Sequence, residues 1–359
     1  MTESVDLNKL KQNLLPLKGN ERTKFFRDLK TYVYVFLICG LLTVGANGQT
    51  TLDVDSTSFK GALHDNLSNK KRQGSGFTPL IFKSYPGANL FRNDAVGINF
   101  EHIFNGAKEQ NGISMFTPRH DPCHLKQVGE SRFQIHWPNK GSKWGMEARV
   151  VYDLSKEGYV DLVFECKPTR DLYSQGFVAM MWASYMNRTL DRKIHFWGKE
   201  GDRTGWVEFG EGKGKDFEVG TVSHAAVANL PSEKGAKTLN LIEHPGKKFF
   251  TPFYYGLVDG DHDLKTTNDR LLYLVLFDQT QPIRFAMWNF IKNKAGNPDT
   301  HSPAWDWQYV VRNPKVGMSY GYKARVVVKP FKGIEQIWRE YQTWNEYLGV
   351  KLPPRPVQN

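Results

Sequence analysis

The sequence predicts an all-β protein: one large antiparallel two-sheet supersandwich that ends in an amphipathic helix. Three observations carry this. Short runs with a hydrophobic period of two recur from Phe77 onward, as in "RFQIHW", "YVDLVFE", "LLYLVLF" and "YKARVVVK". Strand follows strand with Gly, Asn, Asp and Pro between them, which excludes a doubly wound parallel sheet. Near the end, "GIEQIWREYQTWNEYL" changes to helical spacing.

Residues 1–30 are polar and basic, and an apolar run follows from Tyr32 to Ala46. That run is short for a spanning helix, which needs roughly 20 residues. It matches the core of a secretory signal, with positive charge before it and small residues after it. Residues 1–48 are therefore expected to be a basic leader and signal peptide cut after Gly48, with an uncleaved membrane anchor as the alternative. In both cases the body is expected outside the cytoplasm, periplasmic or extracellular. Residues 49–76 show little periodicity and read as a flexible linker. Residues 77–350 read as the supersandwich domain with its helix. About 270 residues of strand pattern exceed one immunoglobulin-like unit, and no repeat of propeller-blade length occurs; a jelly roll is the alternative.

Within that domain, alternation places Phe133, Ile135 and Trp137 on one face of a strand. It likewise groups Val160, Leu162 and Phe164 opposite Asp161 and Glu165. The helix begins after Gly333 and stops before the prolines of "KLPPRP". Ile334, Ile337, Trp338, Tyr341, Trp344 and Leu348 form its apolar stripe, whereas Glu335, Arg339, Glu340 and Glu346 are expected to face away.

The chain of 359 residues carries a net charge of +11. Loss of the seven basic and four acidic side chains in residues 1–48 leaves about +8, a balance that favours anionic polymers or surfaces as partners. No Lys/Arg block resembles a nucleic-acid arm, so nucleic acid is not an expected partner. Membrane contact is expected only through an uncleaved N-terminal segment. Cys123 and Cys166 remain after the leader; a disulfide and two buried thiols are both open. No CxxC pattern or phosphate-binding loop occurs, and neither a metal nor a cofactor is expected.

Several clusters carry candidate chemistry. "MFTPRHDPCHLK" holds Arg119, His120 and His124 in a loop stiffened by Pro118 and Pro122. Arg119 suits a carboxylate, and the histidines can move protons near neutral pH. In "GINFEHIFNG", alternation sends Glu101 and His102 to opposite faces, so either can serve but not as a pair. "IHFWGKEGDRTGWVEFGEG" offers His195, Trp197, Trp206, Glu208 and Glu211, and Trp182 lies in "MMWASYMN". Indole faces beside acids and histidines suit sugar rings, although core packing gives the same pattern. His224 stands alone among small residues in "VGTVSHAAVANLP". "FYYGLVDGDHD" adds Tyr254, Tyr255, Asp259 and His262, and "HSPAWDWQYVV" adds His301, Trp305, Asp306 and Trp307.

The strand-to-helix ending "YGYKARVVVKPFKGIEQIWREYQTW", the domain length and the aromatic-rich strands resemble the galactose-mutarotase-like supersandwich proteins. This group includes aldose epimerases and the β-domains of some polysaccharide lyases. His224 ahead of Asn229-Leu230 is similar to the epimerases' His before Asn-Leu, with one extra residue and without the aromatics between. The family's catalytic glutamate has no matching motif here. The resemblance implies a concave sheet face that holds a sugar. On that reading Trp182, Trp197 and Trp305 stack sugar rings, with His102 and His195 beside them. Arg119 anchors an anionic group, His120, His124 or His224 moves protons, and Glu101 and Glu208 supply carboxylates. The expected function is an exported carbohydrate-active protein acting on a polysaccharide or oligosaccharide, acidic or neutral, as a lyase, hydrolase or epimerase. The alternative is a non-catalytic sugar-binding or envelope-associated protein.

Overall fold

The computed structural model describes residues 50–66, 74–108, 112–212, 218–236, 239–261, 269–290, 292, 299 and 301–352. The leader, residues 1–48, lies outside the described residues. The described strands are β1 (Thr51–Asp55), β2 (Phe59–His64), β3 (Gly76–Phe82), β4 (Asn99–Phe104), β5 (His124–Gly129) and β6 (Arg132–Trp137). They continue with β7 (Met146–Asp153), β8 (Tyr159–Pro168), β9 (Phe177–Ala183), β10 (Ile194–Glu200), β11 (Arg203–Phe209) and β12 (Gly220–Ser223). The last are β13 (Lys247–Phe249), β14 (Phe253–Asp259), β15 (Arg270–Phe277), β16 (Ile283–Trp288), β17 (Ala304–Arg312) and β18 (Tyr320–Pro330), before helix α1 (Ile334–Leu348).

These strands form an antiparallel sandwich. Ten of them join in the order β11-β10-β14-β15-β18-β8-β7-β6-β5, with β13 also paired to β10. Five form the facing sheet, β12-β16-β17-β9-β4. The inner faces share one core, in which Phe164 of β8 meets the Trp182 indole of β9 at 5.2 Å and Phe277 of β15 meets Trp307 of β17 at 5.7 Å. Alternation reads correctly along β6 and β8: Phe133, Ile135, Trp137, Val160, Leu162 and Phe164 are all buried on the core side.

The stretch expected as a linker is different. Within residues 49–76, β1 pairs with β2, and β2 pairs in turn with β3 to make a third sheet. Leu52, Val54, Phe59 and Leu63 join the main core. The strands are short and interrupted by Ser and Gly, so their apolar faces become recognisable only against the surface that covers them.

Helix α1 caps the outer face of the large sheet. Ile337 and Trp344 pack on Phe253, Leu272, Leu274, Leu276 and Val327, which explains why β15 is apolar on both faces. Gly349, at φ 71°, ends the helix in the left-handed conformation that glycine adopts without a Cβ penalty. Arg325 of β18 fastens the helix from below. Its guanidinium binds Asp161 at 2.5 and 2.8 Å and lies 4.3, 4.9 and 5.0 Å from the rings of Tyr159, Trp344 and Tyr347. Glu340 does not face solvent as helical phase predicts. It turns to the sheet and accepts from Tyr159 Oη at 2.7 Å and Lys329 Nζ at 2.8 Å. Cys123 and Cys166 are separate buried thiols; burial pushes the Cys123 thiol up to about 12 and raises that of Cys166 as well.

Candidate active site

The outer face of the five-stranded sheet carries a buried polar surface. Its chemistry begins with a backbone irregularity. Ile98 enters β4 at φ 52°, a left-handed conformation costly for a β-branched residue, about 1–3 kcal/mol. Two hydrogen bonds hold it there: its N–H donates to Ser184 Oγ at 3.1 Å, and its carbonyl accepts from Tyr152 Oη at 2.8 Å. Just after it, the register between β4 and β9 shifts between Phe100 and His102. This is a β-bulge, which adds one residue to one strand and re-aims the side chains there.

The bulge overturns the expectation that Glu101 and His102 face opposite ways. Phe100 and Ile103 belong to the inner core, and Glu101 and His102 lie together, with His102 Nε2 3.7 Å from Glu101 Oε1. Three further side chains converge on them. The Arg119 guanidinium donates to Glu101 Oε1 in a close ion pair, while its backbone N–H reaches the Glu101 carbonyl at 3.4 Å. The Tyr185 hydroxyl donates to the same Oε1 at 2.8 Å. Phe116 meets the His102 ring edge-on at 4.5 Å. Glu101 is only 1% exposed at its side chain and Arg119 is 23% exposed, so the arginine forms the side of the site that reaches solvent.

The loop that delivers Arg119 is held from the segment expected as linker. Asn66 Nδ2 donates to the carbonyls of Pro118 at 2.7 Å and Asp121 at 2.6 Å. Burial raises the Asp121 carboxyl to about 6. His120 is exposed on this loop, and partial burial, then the Arg119 and Lys143 charges, lower its pKa.

Beside this cluster the sheet contributes a second carboxyl. Asp306 of β17 sits opposite Ala286, and its Oδ1 accepts the Ser184 N–H at 3.0 Å. Burial, together with the Glu101 charge, pushes its carboxyl well above the ordinary carboxylate range. Glu101 Oε2, His102 Nε2, Asp306 Oδ2 and Trp288 Nε1 are buried on this face with no hydrogen-bond partner among the described residues. One turn of register away, Arg284 of β16 is fully engaged. It binds Glu243 at 2.6 Å, Thr221 Oγ1 at 2.5 Å, Ser223 Oγ at 3.2 Å, Gln308 Oε1 at 2.7 Å and the Asn240 carbonyl at 3.3 Å. Such saturation marks a structural brace. Burial raises Glu243, but Arg284 and then Lys248 outweigh it and hold that carboxyl below its ordinary value.

Of the residues singled out in the sequence, the structure gathers Glu101, His102 and Arg119, with His120 on the adjoining loop. His124 is elsewhere, exposed at the start of edge strand β5 and across from His136. His224 packs against Phe249 and accepts the Ala226 N–H at 3.2 Å; burial lowers its pKa. His195 and Glu208 form a separate pair on the outer face of the large sheet. Their nearest atoms are 3.8 Å apart, with His195 stacked on Tyr255 and Lys193 bound to Glu208. Burial lowers His195, and the Lys193 hydrogen bond leads the lowering of Glu208. The whole sandwich separates this pair from Glu101.

The three tryptophans expected to stack sugar rings are buried. Trp182 and Trp305 are fully buried between the sheets, the first stacked on Trp307 at 5.8 Å. Trp305 fills the space over Gly256, where a Cβ would meet the indole at 2.2 Å. Trp197 lies under α1 against Trp338. Strands buried on both faces leave no side for an open aromatic. His301 Nδ1 donates to the Thr189 carbonyl at 2.6 Å, and His262 lies outside the described residues. Tyr185 and Asn240 escaped sequence reasoning because nothing local marks them; only the pairing of β4 with β9 brings Tyr185 to Glu101.

No family model and no curated protein matches this sequence. Among solved structures, it is similar to a galactose mutarotase-like protein from Lactobacillus casei, at 9% identity and TM-score 0.41, covering 78% of this chain and 100% of that one. It is also similar to a GalM/aldose epimerase homologue from C. elegans, at 11% identity and TM-score 0.38, covering 79% and 99%. A third is a TPR-domain containing protein from Parabacteroides distasonis, at 10% identity and TM-score 0.39, covering 84% of this chain and about half (48%) of that one. The likeness is one of strand arrangement alone.

Proposed function

We propose that this protein is an exported carbohydrate-active protein and that the Glu101 cluster performs proton transfer on a bound sugar. The observation that supports it is the bulge, which sets a buried carboxylate beside an imidazole within one site. Arg119 and Tyr185 both donate to Glu101 Oε1, which fixes the orientation of the carboxylate. Oε2 is the oxygen left to take a proton. The Asp306 carboxyl, raised by burial, is the group suited to return one, and the His102 ring lies beside the carboxylate to orient what binds there. A base and an acid so placed serve ring opening at an anomeric carbon, elimination beside a uronate carboxylate, or glycoside hydrolysis.

The test uses the protein from Gln49 onward and its E101Q variant with neutral and uronate mono- and oligosaccharides. Change in optical rotation reports anomeric interconversion, absorbance near 230 nm reports elimination, and new reducing ends without it report hydrolysis. Turnover in the native protein, lowered about 10²–10⁴-fold in E101Q, is expected. A native protein that binds no sugar sinks the proposal. Equal binding by both forms without turnover favours the non-catalytic reading, which the deep burial of Glu101 supports.

A further inference from the structure

We infer that Asn240 is a positioning residue of this site: its side-chain amide holds His102 as the Nε2–H tautomer and so points the ring proton at Glu101. This rests on the proton-transfer reading for its functional consequence, though the tautomer itself does not.

The geometry runs as one chain of contacts. His102, Met181, Gln308, Arg284 and Ser223 are successive register partners across β4, β9, β17, β16 and β12. Asn240 lies over this row on the short turn Leu239–Leu241. Its carbonyl accepts from Gln308 Nε2 at 3.0 Å and Arg284 Nη1 at 3.3 Å, so two members of the row fix its backbone. Its Nδ2 lies 2.7 Å from His102 Nδ1. The other ring nitrogen faces Glu101 Oε1 at 3.7 Å, beyond a direct hydrogen bond but within reach of its field.

A neutral imidazole carries one N–H and one lone pair. Burial, the largest influence on His102, lowers its pKa and favours that neutral form. A carboxylate beside Nε2 draws the proton there. Nδ1 is then an acceptor and needs a donor, which only the NH₂ end of the Asn240 amide supplies. Asn240 Oδ1 has no hydrogen-bond partner among the described residues, so none of them pulls the amide the other way. The second contact of the imidazole thus decides which nitrogen serves the reaction.

The experiment is two-dimensional ¹⁵N–¹H long-range correlation on the histidine rings of the native protein, Asn240→Asp and Asn240→Ala at pH 7.5. His136, on the outer face of the large sheet, is the internal control for folding. The native His102 is expected as a neutral Nε2–H ring. In N240D, where a carboxylate replaces the donor, it is expected to become the Nδ1–H form or an imidazolium. N240A is expected to lose the single tautomer. A native Nδ1–H ring overturns the inference, and so does an Nε2–H ring unchanged in both variants. If the sugar assays find turnover, N240D should lower kcat on the order of 10²-fold and shift the pH profile, with KM little changed. Failure of every sugar assay with the expected tautomer pattern refutes the function and leaves the positioning intact.

Discussion

Substitution of Glu243 by Gln tests whether the outer face of the five-stranded sheet is sealed from water. Arg284 and Glu243 are 3% and 5% exposed at their side chains and 2.6 Å apart. The change keeps the volume and the hydrogen-bonding reach toward Thr221 and Ser223 but removes the negative charge. It leaves a buried guanidinium with neutral partners only. Breaking a buried pair from one side costs about 3–5 kcal/mol, against about 0–1 kcal/mol for an exposed pair. Urea titration followed by tryptophan fluorescence reads the difference as a lowered midpoint at constant slope. Adding Arg284→Met to the first change should restore part of the loss, because it removes the stranded charge. A loss under about 1 kcal/mol means that water reaches Arg284, and that the brace beneath Asn240 is solvated. The pH dependence has a definite sign. The native Glu243 carboxyl is held below the unfolded value of 4.5, so its contribution is present above that value and is lost as pH falls through the native one.

Four further outcomes are expected. Gly256→Ala places a Cβ 2.2 Å from the Trp305 ring and should destabilise by about 1–3 kcal/mol in the same titration. Asp121→Asn should change the stability profile between pH 3.8 and about 6. In that window native Asp121 keeps a proton the unfolded chain has lost, so native stability falls as pH rises, and the variant should lose that limb in melts at pH 4 and pH 7. In a Cys39→Ser background, a thiol reagent should label Cys123 and Cys166 only after unfolding; rapid labelling in the folded protein contradicts their burial. Arg119→Ala should weaken any sugar turnover through Glu101 while leaving the far pair of His195 and Glu208 unchanged by NMR.

Sequence patterning captured the sandwich because the period of two is a local property, and β6 and β8 keep it without interruption. It failed where partners far along the chain decide. The strands β1 and β2 look unstructured until the core closes on Leu52, Val54, Phe59 and Leu63. Glu340 follows Lys329 and Tyr159 rather than helical phase. The open tryptophans turned out to be core because both faces of their strands are covered, which indole content alone does not reveal. Within the site, residue types were legible and their grouping was not: Glu101, His102 and Arg119 stand in the expected segments, but a register shift between two strands decides that the first two meet.

That shift has a consequence for how this chain tolerates change. Phe100 stands opposite Trp182 and His102 opposite Met181, so Glu101 is the extra residue, and removing it alone would let β4 pair evenly with β9. The evenly paired strand would keep the imidazole of His102 and lose the carboxylate beside it. Whatever the cluster does is therefore written in a count of residues: the one position the sheet does not need for pairing is the one that carries the carboxylate.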